Sequence, residues 1–257
     1  GFVDVEALAN LIRPDTILVS IMAVNNEIGS IQPIETISEL LADKPTISFH
    51  VDAVQALAKI PTEKYLTDRV DFATFSSHKF HGVRGVGFVY IKSGKKITPL
   101  LTGGGQEHDY RSTTENVAGI AATAKALRLS MEKLAIFASK TGQMRSVIRQ
   151  ALLDYPDILI FSDEEDFAPH ILTFGIKGVR GEVIVHAFED YDIFISTTSA
   201  CSSKAGKPAG SLLAMGVDKD KAQSAVRLSL DLENDMSQVE QFLTKLKLIY
   251  NQTRKVR

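Results

Sequence analysis

The segment Ser76-Ser77-His78-Lys79-Phe80-His81-Gly82 follows a short apolar run, Val70 to Phe75. A lysine just past a buried strand, flanked by small hydroxyl residues and a histidine, can carry a carbonyl cofactor. Its amine forms a Schiff base, while the Ser76 hydroxyl and the His78 ring donate to a phosphate. The competing state for Lys79 is a solvated loop lysine, the usual condition of that residue type. Asp52 ends another apolar run, Ile47 to Val51. A carboxylate there either caps a turn or pairs with a protonated ring nitrogen and keeps the ring an electron sink. Gln55 follows one helical turn later, on the same side, where its amide can donate to a ring hydroxylate.

Two further residues have chemistry to offer. Cys201 sits in Ser196-Thr197-Thr198-Ser199-Ala200-Cys201-Ser202-Ser203-Lys204-Ala205-Gly206. A free cysteine is commonly a buried structural thiol. Small polar neighbours with Lys204 and Gly206 close by favour instead an exposed, mobile loop and a thiol able to ionise and attack. Arg227 interrupts the apolar run Val226-Arg227-Leu228-Ser229-Leu230. It is either a residue on a wet strand face or a bidentate clamp for a carboxylate. No HExxH or CxxC spacing occurs, so no zinc site is expected. Gly103-Gly104-Gly105-Gln106-Glu107 lacks the GK[ST] ending of a nucleotide phosphate loop.

The elements that must position these groups can be read from periodicity. Thr16 to Val24 is a continuous apolar run, the mark of a strand covered on both faces. Asn25-Asn26-Glu27-Ile28-Gly29 breaks it. Pro33 opens a helix with Ile34, Ile37, Leu40 and Leu41 at helical spacing. A strand at Thr46 to Val51, a short helical stretch, and strands at Val70 to Phe75 and Val86 to Ile91 follow. This alternation predicts a parallel α/β sheet, in which ligands bind beyond the carboxyl ends of the strands. Asn26, Asp52 and Lys79 each fall just past such an end. Val117 to about Tyr155 reads as one long helix or two, with Gly142 as the break. Beyond it, strands are expected near Ile158 to Phe161, His170 to Phe174, Asp192 to Ser196 and Ala225 to Leu230. A helix is expected from Gly181 to Glu189, and an amphipathic helix closes the chain through Tyr250.

At 257 residues the chain can bury one large core or two modest ones. A formal net charge of −2 argues against nucleic acid or an anionic membrane as the main partner. The longest apolar run, Ile17 to Val24, is too short to span a bilayer, and no secretory leader or lipidation signal is read in the sequence. The single cysteine excludes an intrachain disulfide and suits a reducing cytoplasm.

Taken in order, several stretches resemble the cysteine desulfurases, class V members of the fold-type I pyridoxal phosphate enzymes. These are Val24-Asn25-Asn26-Glu27-Ile28-Gly29, His50-Val51-Asp52-Ala53-Val54-Gln55, Ser76-Ser77-His78-Lys79, Gly103-Gly104-Gly105-Gln106-Glu107, Arg111-Ser112-Thr113-Thr114, Ser199-Ala200-Cys201-Ser202-Ser203 and Arg227-Leu228-Ser229. Each is weak alone, whereas the ordered set is specific and covers nearly the whole chain. The resemblance implies that residues 1–133 are the C-terminal portion of a cofactor-binding large domain of mostly parallel sheet and flanking helices. Residues 134–257 would then form a small C-terminal α+β domain carrying the cysteine loop.

The resemblance also implies roles. Lys79 would carry pyridoxal phosphate, with Asp52 at the ring nitrogen, Gln55 at the ring oxygen, and Ser76 and His78 at the phosphate. Asn26 and Arg227 would grip the carboxylate of L-cysteine. Cys201 would take the sulfur as a persulfide, release L-alanine and serve an acceptor in iron–sulfur cluster assembly or tRNA thiolation. Thr114 would reach the partner's phosphate across a homodimer. Selenocysteine lyase and a class V aminotransferase are neighbouring activities, and a non-catalytic fragment that keeps only the fold and dimer interface is the alternative of another class.

Two departures stand out: Thr113 replaces the usual glycine of Arg-Ser-Gly-Thr, and Asp109 stands where glycine is common. Members of the family also carry well over a hundred residues before the strand that begins here near Thr16. On that reading the chain is their C-terminal part and is expected to be inactive alone.

Overall fold

The structure, a computed structural model, describes residues 1–163, 165–198 and 210–255. The chain forms two compact units. One comprises Asp4–Ala23 and Pro33–Leu134; the other comprises Gly1–Val3, Val24–Gln32 and Ala135–Arg257.

In the first unit, α1 (Val5–Leu11) starts at Asp4, whose carboxylate accepts the Ala7 N–H at 2.9 Å and so satisfies an otherwise orphaned donor. Next come β1 (Leu18–Met22), α2 (Ile34–Leu40), β2 (Ser48–Asp52), β3 (Phe72–Ser76) and β4 (Gly87–Ile91), and α3 (Val117–Glu132) ends the unit. The sheet order is β1-β2-β3-β4. The first three strands are parallel, and β4 runs antiparallel to β3. The sequence pattern predicts parallel pairing throughout. Only residues 77–86 link β3 to β4, fewer than the roughly dozen that a parallel crossover needs, so the chain turns straight back. The stretch after Asp52 forms successive turns and a 3-10 turn at Thr62–Lys64, where a short helix is expected.

β2 alternates as its composition requires: Phe49 and Val51 are fully buried, while His50 and Asp52 point to the other face. β1 differs from the expectation of burial on both faces. It stands at the sheet edge, with Ile17 77% and Leu18 52% exposed and Val19 alone buried within the strand. An unbroken apolar run reports what a strand can tolerate; having a neighbour on one side only decides what is covered.

The second unit begins with α4 (Leu134–Leu152) and contains β5 (Ile158–Ile160), β6 (Ile171–Ile176), α5 (Gly181–Glu189), β7 (Ser196–Thr197), α6 (Gly210–Ala214), α7 (Lys219–Gln223), β8 (Ala225–Ser229) and α8 (Met236–Lys255). The break between α3 and α4 falls at Lys133, and Gly142 lies inside α4. A helical glycine costs about 1 kcal/mol relative to alanine, which the buried α4 face of Met144, Ile148 and Leu152 readily outweighs. The strand expected at Asp192–Ser196 is mostly turn. Asp192 adopts φ 58°, the Ile193 N–H returns to the Phe188 carbonyl, and pairing begins at Ser196.

The sheet of this unit is antiparallel in the order β5-β6-β8-β7. β6 is buried along its whole length. Leu172, Phe174 and Ile176 join Ile184 and Phe188 of α5 and Phe242, Leu246 and Ile249 of α8 in one core. The Phe188 and Phe242 rings stack at 4.9 Å.

A division at residue 134 leaves residues 24–32 unexplained, because that segment belongs to the second unit. Side-chain and main-chain bonds hold it there: Ser162 Oγ donates to the Ile28 carbonyl, Thr173 Oγ1 to the Glu27 carbonyl, and the Ala168 N–H to the Gly29 carbonyl. Gly29 has φ 86°, and a Cβ there would lie 2.9 Å from Ile171 Cβ, so only glycine fits the turn.

Candidate active site

Lys79 lies in a 3-10 turn, Ser77–Phe80, at the carboxyl end of β3. Ser76 ends the strand and is half-buried, His78 is exposed, and Lys79 is half-buried. The turn is fastened to α3 at two points. Ser77 Oγ and Thr123 Oγ1 lie 2.9 Å apart in the interior, and Ser130 Oγ donates to the Phe80 carbonyl at 3.1 Å. His81 then takes a left-handed conformation, φ 66°, and the Gly82 N–H closes onto the Ser77 carbonyl. A Cβ at Gly82 would sit 1.8 Å from Ser77 Oγ. Among the described residues the side chains of Lys79, Ser76 and His78 make no hydrogen bond or ion pair.

Asp52 ends β2, the strand next to β3, in register with Thr74. One carboxylate oxygen accepts the Val54 N–H at 3.0 Å. The following residues make one helical turn, with the Leu57 N–H on the Ala53 carbonyl, which carries the half-buried Gln55. Asp52, Gln55, Ser76, His78 and Lys79 therefore gather at the carboxyl end of one sheet. On the same face as Asp52, His50 bridges its neighbours: Nδ1 lies 2.7 Å from Ser20 Oγ and Nε2 3.1 Å from Thr74 Oγ1. Burial pushes the His50 pKa below its ordinary value, against the opposing pull of Asp52. Thr114 is exposed and makes no side-chain hydrogen bond among the described residues.

The glycine-rich segment is a series of left-handed turns. Gly105, Glu107, His108 and Asp109 all have positive φ, with Asp109 at 67°. Asp is among the few L-residues that tolerate this conformation. The geometry gives a reason for glycine to be common there.

Asn26 and Arg227 belong to the second unit, where Arg227 Nη1 donates to the Asn26 carbonyl at 2.7 Å. Arg227 is half-buried on β8, opposite Ser196 of β7. Asn25 shapes the turn: its Oδ1 accepts the N–H groups of Glu27 and Ile28 at 2.8 and 3.0 Å. Cys201 lies outside the described residues.

Chemistry gathered in this way can be compared with proteins already known. The family profile described as Aminotransferase class-V matches residues 1–242. This chain belongs to the class-V aminotransferase family. Among the class-V relatives, a NifS/IcsS protein homolog of Lactobacillus delbrueckii subsp. bulgaricus is 50% identical over 257 residues, which is 100% of this chain and 67% of the relative. The cysteine desulfurase IscS of Clostridium botulinum is 39% identical over 260 residues, covering 100% of this chain and 65% of its own. A solved NifS-like protein superposes with a TM-score of 0.88 at 38% identity, over 97% of this chain and 65% of that one. The NifS-like protein of Rickettsia africae gives 0.86 at 30%, over 98% and 67%. The chain thus spans about two thirds of the length of these class-V proteins. Among its described residues no helix is long and apolar enough to cross a membrane.

Sequence reasoning overlooked four residues of this class-V framework. Ser77 and Thr123, 46 positions apart, have no local signal that pairs them. His50 was visible only as part of a motif. Asn25 could have been found, since an asparagine that opens a turn commonly accepts from the N–H two residues on.

Proposed function

We propose that the chain carries the machinery of a pyridoxal-phosphate-dependent cysteine desulfurase. Its substrate is L-cysteine, its products are L-alanine and a persulfide on Cys201, and that sulfur passes to an acceptor protein in iron–sulfur cluster assembly or tRNA thiolation. The observation that carries this reading is the placement of Lys79, Ser76, His78 and Asp52 at the carboxyl end of adjacent parallel strands. An amine, two donors and a carboxylate without other side-chain partners among the described residues suit an aldehyde cofactor with a phosphate and a basic ring. Relatives that bear the name cysteine desulfurase support it further.

When bound, pyridoxal phosphate supplies an electron sink for the carbon skeleton of its substrate. The protein's part is to hold and orient. Lys79 anchors the cofactor, Ser76 and His78 donate to its phosphate, Gln55 donates to the ring oxygen, and Asp52 keeps a proton at the ring nitrogen. Arg227, its guanidinium held by the Asn26 carbonyl, grips the substrate carboxylate together with Asn26. Cys201 is the thiolate that receives the sulfur. Thr114 completes the phosphate site of a second copy in a homodimer, and the enzyme works in the cytoplasm.

The test is borohydride reduction of the complete protein loaded with pyridoxal phosphate, followed by peptide mapping, alongside an assay of alanine release from L-cysteine. Label on Lys79 with cysteine-dependent alanine is the expected result. Label confined to another lysine, or no alanine from loaded protein, overturns the assignment.

A further inference from the structure

Glu27 lies in the turn between Asn25 and Gly29, beside Asn26, and its carboxylate has a defined task. Oε2 accepts the N–H of Ser211 at 2.9 Å. Asn25 Nδ2 donates to the hydroxyl of the same serine at 2.9 Å. Ser211 follows directly on the segment 199–209 and Gly210, so the downstream end of that segment is tied twice to this turn. The upstream end is tied as well: Ser196 pairs with Arg227 and Thr197 with Val226. The turn itself is rigid. Asn25 Oδ1 closes it internally, Thr173 Oγ1 donates to the Glu27 carbonyl at 2.6 Å, and Arg227 donates to the Asn26 carbonyl.

We infer that Glu27 is a positioning residue for Cys201, fixing the downstream end of its segment to the turn that carries Asn26, while β8 holds the upstream end beside Arg227. The inference rests on the desulfurase reading for what Cys201 does, and on described contacts alone for where its segment is anchored. A charged acceptor on a main-chain N–H is worth more than a neutral hydrogen bond. Glu27 touches neither a reacting atom nor a group assigned to the cofactor. Its effect is on the attacking thiol's geometry, where small misplacements are costly.

In the complete, cofactor-loaded protein, Glu27→Ala is expected to lower kcat for alanine formation by about tenfold or more, with KM for L-cysteine within about threefold. Glu27→Gln, which keeps an oxygen facing the Ser211 N–H, should recover most of the loss. A second readout needs no turnover. Without substrate, tryptic cleavage after Lys204 and alkylation of Cys201 by iodoacetamide should quicken severalfold in Glu27→Ala and stay near wild type in Glu27→Gln. Ser211→Pro removes the donor N–H and leaves Glu27 in place, so it should reproduce both effects; it carries the test if Glu27→Ala does not fold. Unchanged cleavage and alkylation in these variants overturns the inference, and so does a rise in KM with kcat preserved. Full alanine formation by Cys201→Ser would instead remove the desulfurase reading, while cleavage and alkylation would still decide the anchoring.

Discussion

The hydroxyl oxygens of Ser77 and Thr123 meet at 2.9 Å, with Ser77 fully buried and Thr123 6% exposed. Thr123 Oγ1 also donates to the Gly119 carbonyl at 2.8 Å, so its proton is committed and Ser77 must be the donor between them. This bond joins α3 to the turn that holds Lys79. The two single variants should therefore differ. Thr123→Val strands a buried O–H donor and should cost about 1–3 kcal/mol, whereas Ser77→Ala removes the donor and should cost about 1 kcal/mol. Urea denaturation of both variants and of the pair checks this, with the double variant no worse than Thr123→Val. Equal costs for the two single changes would mean the proton runs the other way.

Asp71 is a buried carboxylate that the protein keeps ionised. It accepts the Phe49 N–H at 2.9 Å and Arg69 Nη1 at 2.8 Å, with Lys95 Nζ 3.2 Å away. Burial alone would raise its pKa; the Phe49 N–H and the two cations outweigh it, and the pKa lies below the ordinary carboxylate value. A depressed folded pKa means that the unfolded chain binds the proton first as pH falls. Stability from this group is whole above the unfolded pKa of about 3.9 and is lost as acid approaches the folded value. Asp71→Asn should cost about 3 kcal/mol at pH 7. That gap should stay constant down to about pH 4 and narrow below it, as measured by thermal unfolding across pH. A gap that narrows between pH 8 and pH 6 would contradict the assignment.

Asp109 holds φ 67° in a run of three positive-φ residues, Glu107 to Asp109. Glycine takes this conformation without the Cβ penalty, so Asp109→Gly should stabilise the protein by about 0.5–1 kcal/mol. A differential scanning measurement at fixed cofactor concentration would reveal it as a higher Tm. A lower Tm would show that the carboxylate contributes more than its backbone strain costs.

Cys201→Ser should separate cofactor binding from sulfur transfer. The cofactor residues proposed here are untouched, so the visible absorbance of bound pyridoxal phosphate should persist. Alanine release should fall by a hundredfold or more, since a hydroxyl is a far poorer nucleophile toward sulfur than a thiolate. Alanine release at the wild-type rate would rule out Cys201 as the acceptor.

Much of this chain is legible without coordinates. The strand ends at Asp52 and Ser76, the helix from Gly181 to Glu189 and the lysine turn follow from local patterns, because hydrophobic period and turn chemistry act over a few residues. The ordered motifs also point to the family. Other features depend on contacts that no local pattern encodes. The antiparallel course of β4 follows from the length of its connection, and the exposure of β1 follows from its place at the sheet edge. Residues 24–32 join the second unit through bonds to Ser162, Ala168 and Thr173, more than a hundred positions away. Glu27 meets Ser211 across 184 positions and Arg227 meets Asn26 across 201. A sequence can mark such residues as polar and turn-forming, but the choice of partner is settled only when the chain is folded and each buried donor has found its acceptor.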